Sequence, residues 1–209
     1  MSEDRPQGRA APSPPPAGAE KTRDGPSFSQ DLRDGLVPWA NQIPSPNCDE
    51  RPAGNDVELI VIHAISLPPG EFGGDAIERL FTNRLDAGGH PYYRNIHSLR
   101  VSAHFLIDRH GGLTQFVPCG RRAWHAGVSA WQGRDRCNDF SVGIELEGCD
   151  EQPFTEPQYD ALLRLLRLLR RAYPRAALAG HSDIAPGRKT DPGPHFDWQR
   201  LHAALDGSM

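Results

Sequence analysis

The chain has no apolar run near the roughly 20 residues that span a bilayer, so nothing in its 209 residues reads as a membrane anchor. It also lacks the apolar core of a secretory signal: it begins Met1-Ser2-Glu3-Asp4 and runs on through Pro12, Pro14, Pro15 and Pro16, which makes the cytoplasm the expected compartment. Positive charge is not in excess. With 23 Lys and Arg against 27 Asp and Glu the formal net charge is -4, which leaves no basic field to hold a phosphate backbone, and neither a nucleic acid nor a membrane is expected as a partner. Cysteine is scarce. Cys48, Cys119, Cys137 and Cys149 form no CxxC pair, which excludes a thiolate zinc site of the usual spacing and favours free, buried thiols in a chain with no export signal. An HExxH helix, the strongest local sign of a catalytic zinc, is absent too.

What is present suits one domain of about 100–200 residues plus a tail. Residues 1–34 are rich in Pro, Gly, Ala, Ser and charge and carry too little apolar content to offset the entropy of ordering, so a disordered extension is expected there. Residues 35–209 are expected to form the folded domain, a monomer. From Gly35 to Gly54 isolated anchors (Leu36, Val37, Trp39, Ile43) stand among prolines, the pattern of an extended arm laid over a domain.

Val57 to Ile62 is a short β-branched run that reads as a buried strand ending at His63. A helix is expected around Asp75 to Thr82. Val101–Asp108 and Leu113–Val117 flank Arg109-His110-Gly111-Gly112, whose glycines supply the positive φ of a hairpin turn. Phe140 to Glu147 is rich in β-formers and makes a further strand with Glu145 near its end. Thr155 and Gln158 are spaced as a capping box before Tyr159, Leu162, Leu163, Leu166 and Leu169 at helical steps. The opposite face carries Arg164, Arg167, Arg170 and Arg171; without interleaved aromatics it reads as a solvated face rather than a nucleic-acid platform. A last helix starts at Asp197 and runs through Trp198, Leu201 and Leu205.

The chemistry centres on His63 at the end of the first strand and on the turn-rich segment Gly180-His-Ser-Asp-Ile-Ala-Pro-Gly-Arg-Lys-Thr-Asp-Pro-Gly193. Two imidazoles and a carboxylate are the ligand types of a catalytic zinc, whose fourth position stays open. A histidine taken singly, however, is more often a hydrogen-bonded structural residue, and the distance in sequence between His63 and His181 does not decide between the two.

Five stretches do: Val61-Ile-His-Ala-Ile-Ser-Leu-Pro-Pro-Gly-Glu-Phe-Gly-Gly74, Ser98-Leu-Arg-Val-Ser-Ala-His-Phe-Leu-Ile107, Arg122-Ala-Trp-His-Ala-Gly-Val-Ser129, Cys137-Asn-Asp-Phe-Ser-Val-Gly-Ile-Glu-Leu-Glu-Gly148 and the 180–193 segment. In this order they resemble the type 2 N-acetylmuramoyl-L-alanine amidases, relatives of peptidoglycan recognition proteins, and within them the branch acting on 1,6-anhydro-muropeptides. The resemblance runs from about Leu36 to the C-terminal helix. It implies an α/β fold with a central mixed β-sheet flanked by helices, a Zn2+ cofactor held by His63, His181 and Asp191, and catalytic roles for Glu145 and Lys189. The implied reaction is hydrolysis of the amide between the lactyl group of (1,6-anhydro)-N-acetylmuramic acid and L-alanine. Glu145 would move the water proton to the departing amine, and Lys189 would stabilise the oxyanion.

Arg100, Trp124 and His125 lie in these motifs and are expected to contact substrate: an arginine suits stem-peptide carboxylates and an aromatic suits a sugar face. Glu147, two residues past Glu145, points the same way in a strand and competes for the catalytic role. His104 reads as a core histidine. One departure stands out: Ala64 occupies the position after the first histidine where the family pattern has asparagine, removing an amide that could bind substrate or water. Rival readings are an amidase of polymeric peptidoglycan, a muropeptide-binding module without catalysis, and partner recruitment by the Pro-rich tail.

Overall fold

The computed structural model describes Met1 and residues 32–207. The extension expected over residues 1–34 therefore lies almost wholly outside the described residues. Its last three positions are described, and Leu32 packs against the main apolar cluster.

Ten strands and four helices follow in chain order: β1 (Asn41–Gln42), β2 (Cys48–Glu50), β3 (Leu59–Ile65), α1 (Ala76–Phe81), β4 (Phe105–Ile107), β5 (Leu113–Gln115), β6 (Arg121–Ala123), β7 (Ala130–Trp131), β8 (Arg134–Asp135), β9 (Ser141–Glu147), α2 (Glu156–Ala172), β10 (Ala177–Gly180), α3 (His181–Ile184) and α4 (Trp198–Asp206). Six strands form one sheet in the order β1-β5-β4-β9-β3-β10. Only β4 and β5 run antiparallel; the other four pairings are parallel. The expected mixed α/β sheet with helices is the fold observed.

β3 is buried on both faces from Leu59 to His63 and β9 along its whole length, and β3 accordingly reads as a near-continuous apolar run. Side chains alternate across a strand. Ile60 and Ile62 of β3 and Val142, Ile144 and Leu146 of β9 join one cluster with Leu162, Leu165, Leu166, Leu168 and Leu169 of α2. Each such leucine, removed from water, contributes about 1.5–3 kcal/mol. Leu59 and Val61 point to the opposite face, where they meet Ala126, Cys137, Phe140 and Ile184. That face also carries His63, Ser141, Gly143, Glu145 and Glu147, and β3 and β9 are in register so that His63 lies beside Glu145.

The local expectations hold with shorter bounds. The Arg109–Gly112 turn joins β4 and β5: Gly111 has φ 82, and Asp108 Oδ1 accepts from the backbone N–H of His110 and Gly112. Val101–His104 is not strand. The capping box forms, with Gln158 Oε1 accepting from Thr155 N at 3.1 Å. The Gln158 amide also donates to the carbonyls of Glu147 and Ile107, so the start of α2 is tied to the ends of β9 and β4. Asp197 caps α4, accepting from Arg200 N at 2.8 Å. The arm packs as expected: Val37 is fully buried, Arg164 lies 4.2 Å over the Trp39 ring, and β1 extends the sheet beyond β5. All four cysteines are free, but only Cys119 and Cys137 are fully buried.

Candidate active site

Register assembles the site. Gly180, the last residue of β10, pairs with Ile62, so the next residue, His181, comes down beside His63, the residue after Ile62. There the chain turns into α3, a single turn capped by Asp183, whose carboxylate accepts from Gly180 N at 2.7 Å. The loop that follows returns Asp191 to the same point and is held there by Ser182 N donating to Asp191 O at 2.9 Å.

His63 Nδ1, His181 Nδ1 and Asp191 Oδ2 converge. The three separations are 2.9 Å (His63 to His181), 3.0 Å (His181 to Asp191) and 3.3 Å (His63 to Asp191). Zinc bonds of ~2.0–2.2 Å at tetrahedral angles would space their ligand atoms roughly 3.3–3.5 Å apart, so this donor set and spacing fit a divalent cation within a few tenths of an ångström. Both histidines are buried and Asp191 is mostly so.

Burial pulls the His63 imidazole down to about 4, opposed by its hydrogen bond to Asp191. Burial pushes Asp191 up, but hydrogen bonds from His181 and His63 and their proximity more than reverse this, leaving the carboxylate well below its usual range. These shifts favour a neutral His63 imidazole and an ionised Asp191, the protonation states that metal ligation by them requires.

Glu145 stands next to this point, with Oε1 4.0 Å from His63 Nδ1. Its Oε2 is buried and has no hydrogen-bond partner among the described residues. Burial, reinforced by repulsion from Asp191 and opposed by Lys189, raises its pKa well above the ordinary carboxylate value. A buried carboxylate oxygen left without a partner costs stability and persists where it has work to do. Glu147 is differently placed: it accepts from Gly73 N at 2.5 Å and Arg109 N at 3.2 Å. The register thus separates the two candidates. Glu147 fastens loops, and Glu145 faces the convergence point.

A groove of about 500 Å³ opens over the triad, lined by Ala64, Leu67, Tyr92, Leu99, Trp124, His125, Glu145, Cys149, His181, Lys189 and Asp191 among others. Trp124 is fixed at its edge by Nε1 donating to Asp49 Oδ1 at 3.1 Å, and Asp49 is itself held by the Arg122 guanidinium. Arg100 is not brought to this lining; its Nη1 donates to the Ser98 carbonyl of its own loop at 3.1 Å.

His125 reaches the lining, but its ring nitrogens face inward: Nδ1 is 2.9 Å from His63 Nε2 and Nε2 is 3.1 Å from Ser141 Oγ. His104 is fully buried, with Nδ1 accepting from Gly143 N at 3.0 Å and Nε2 on the Arg121 carbonyl at 3.0 Å, as a core histidine should be. The inward engagement of His125, the Ala126 carbonyl 3.1 Å from His181 Nε2 and the backbone clamp of Asn138 had no signal in the sequence, because each depends on pairings between distant segments.

Comparison with known proteins agrees with this arrangement. Residues 53–194 match the N-acetylmuramoyl-L-alanine amidase family. The chain is 53% identical over 179 residues to the 1,6-anhydro-N-acetylmuramyl-L-alanine amidase AmpD of Enterobacter cloacae, covering 85% of this chain and 96% of that protein. Its fold superposes on the crystal structure of a selenomethionine AmpD derivative with TM-score 0.82 and 52% identity, over 83% of this chain and 98% of that one. At 31% identity and TM-score 0.53 it also resembles the Escherichia coli amidase AmiD, solved in complex with the substrate anhydro-N-acetylmuramic acid-L-Ala-D-gamma-Glu-L-Lys; the match covers 71% of this chain and 57% of that one. With its fold, its convergent donor triad and these matches in accord, the chain belongs to the N-acetylmuramoyl-L-alanine amidase family.

Proposed function

We propose that this protein is a zinc-dependent amidase of the cytoplasm that hydrolyses the bond between the lactyl group of 1,6-anhydro-N-acetylmuramic acid and L-alanine in soluble peptidoglycan fragments during cell-wall recycling. The observation that carries this reading is the meeting of three ligand atoms within 3.3 Å of one another beside a buried carboxylate oxygen that has no partner among the described residues. The substrate class rests on the names of the relatives matched over most of both chains.

His63, His181 and Asp191 would hold the metal, whose ligand type and spacing they fit. When bound there, zinc supplies Lewis acidity, polarising an amide carbonyl and acidifying water. Glu145 takes the proton of the attacking water on its free Oε2 and returns it to the alanine nitrogen as the C–N bond breaks. A dication held by His63, His181 and Asp191 would favour the ionised form of Glu145, the form that acts as a base. Lys189, on the groove wall, places an ammonium where negative charge develops on the carbonyl oxygen. Trp124 offers its indole face to the sugar.

The test is hydrolysis of purified anhydro-muropeptide beside intact peptidoglycan, with mass detection, before and after stripping and restoring zinc. The expected result is zinc-dependent release of stem peptide, chiefly from the soluble fragment. Preference for the polymer would replace the proposed substrate, and stoichiometric zinc with binding but no turnover would make the protein a recognition module.

A further inference from the structure

If His63 and His181 present Nδ1 to a cation, each ring carries its one remaining hydrogen on Nε2, and each of those N–H groups needs an acceptor. The acceptors come from two consecutive residues. His181 Nε2 lies 3.1 Å from the Ala126 carbonyl, and His63 Nε2 lies 2.9 Å from His125 Nδ1. We propose that this one segment orients both site imidazoles, with His125 and Asn138 as positioning residues for the metal site; the inference rests on the zinc reading above.

Four further contacts support it. A single atom, Asn138 Oδ1, accepts from the backbone N–H of His125 at 3.1 Å and of Ala126 at 2.8 Å, so one side chain holds both acceptor residues in place. Ser141 Oγ, 3.1 Å from His125 Nε2, can accept a ring hydrogen there, the tautomer that leaves Nδ1 bare to receive the one from His63. The His125 ring also lies so close over β9 that a Cβ on Gly143 would meet it at 2.5 Å; only glycine at that position lets the ring reach His63.

Outer partners of metal-bound histidines set ring orientation and typically govern affinity by about 10–100-fold. A packing role and an acceptor role for His125 can be separated by chemistry. Asparagine places Oδ1 near the position of Nδ1 and can accept the bond; leucine fills similar space and cannot.

The experiment measures zinc affinity of the full chain by competition with a chromophoric chelator, together with the visible absorption of the cobalt-substituted protein and circular dichroism to confirm folding. His125→Leu is expected to weaken zinc binding by about 10–100-fold and alter the cobalt spectrum, while His125→Asn restores most of the affinity. Asn138→Asp, which keeps the acceptor, is expected to bind close to wild type, and Asn138→Leu to lose affinity in the same range as His125→Leu.

Leucine variants that fold and bind zinc as tightly as wild type would overturn the inference, as would tight binding by His125→Leu with loss in His125→Asn. Wild-type protein that takes up no zinc would overturn both this inference and the metal reading on which it rests. Wild-type uptake that is lost in His63→Ala but unchanged in His125→Leu would sink the inference alone.

Discussion

Glu145 places catalysis and stability in direct opposition, and Glu145→Gln exposes the conflict. In the metal-free protein the carboxylate is buried, is repelled by Asp191 and has no hydrogen-bond partner for Oε2 among the described residues. An unsatisfied buried polar atom costs about 1–3 kcal/mol. Glutamine has the same shape, carries no charge and can donate to Asp191 instead of repelling it. The variant should therefore be more stable by a comparable amount, a rise in Tm of roughly 2–12 °C at about 2–4 °C per kcal/mol for a chain of this size.

The sign with pH follows from linkage. The folded-state pKa of Glu145 is raised, so between the unfolded value and that raised value the native state binds one proton more than the unfolded chain. Its contribution to stability is complete below about pH 4.5 and is lost as pH rises, at up to about 1.4 kcal/mol per unit. The gap in Tm between Glu145→Gln and wild type should accordingly widen from pH 5 to pH 7. The zinc-loaded variant should lose turnover by about 10²–10⁴-fold, the usual contribution of a general base. Melts followed by circular dichroism on chelator-treated protein, and stem-peptide release followed by mass spectrometry on the loaded form, read the two halves separately. A variant less stable than wild type at pH 7, or one retaining turnover within tenfold, would refute the reasoning.

Lys189→Met should lower kcat by about 10²–10³-fold, the range for removal of one oxyanion-stabilising group, with zinc content unchanged by metal analysis. Ala64 lines the groove directly after His63, and Ala64→Asn, which restores the amide of the family pattern, should raise kcat/KM on anhydro-muropeptide by roughly 2–10-fold, the worth of one hydrogen bond of about 0.5–1.5 kcal/mol; a fall would show that the alanine is needed for space. Burial and the nearby Arg51 hold His104 down at about 3, so the unfolded chain binds the extra proton and stability falls as pH drops from about 6.5 toward 3. His104→Gln should remove about 1.4 kcal/mol per pH unit from that slope, measured as urea midpoints at pH 5 and 6.5. Deleting residues 1–34 should leave hydrolysis within about twofold if that stretch contributes no part of the core; because Leu32 packs on the cluster, a cut after residue 31 serves as the control for lost packing.

What the sequence made legible was local. The strand at Val57–Ile62, the capping box of α2, the Asp108–Gly112 turn and the cap at Asp197 each express a short-range rule, and each is found within a few residues of where it was expected. β10 had no such signal: Ala177-Leu-Ala-Gly180 is poor in β-formers and is a strand because β3 provides a partner for its whole length. His181 is positioned by that pairing, so the site's second histidine could be named by resemblance but not located. The same limit applies to His125, whose ring stands at the groove lining but is turned onto the distant His63. Arg100 differs, since its contact is local, to the Ser98 carbonyl of its own loop.

β9 shows why alternation failed to announce a site. Its buried residues on one face, Val142, Ile144 and Leu146, pack against α2, while Ser141, Gly143, Glu145 and Glu147 lie on the other and are buried as well. A strand with one wet face would have made the two carboxylates look solvated. Here the second face is enclosed by the loops that carry His125, Asn138 and Gly73, and the alternate positions become a sequence of small, small, acid and acid. The small residues admit the His125 ring, and the first acid is left without a partner beside His63. Glu147 is committed to the backbone of two loops. One strand thereby supports the core with its even positions and places the reactive carboxylate with its odd ones, and a shift of register by one residue would exchange the two sets and destroy both.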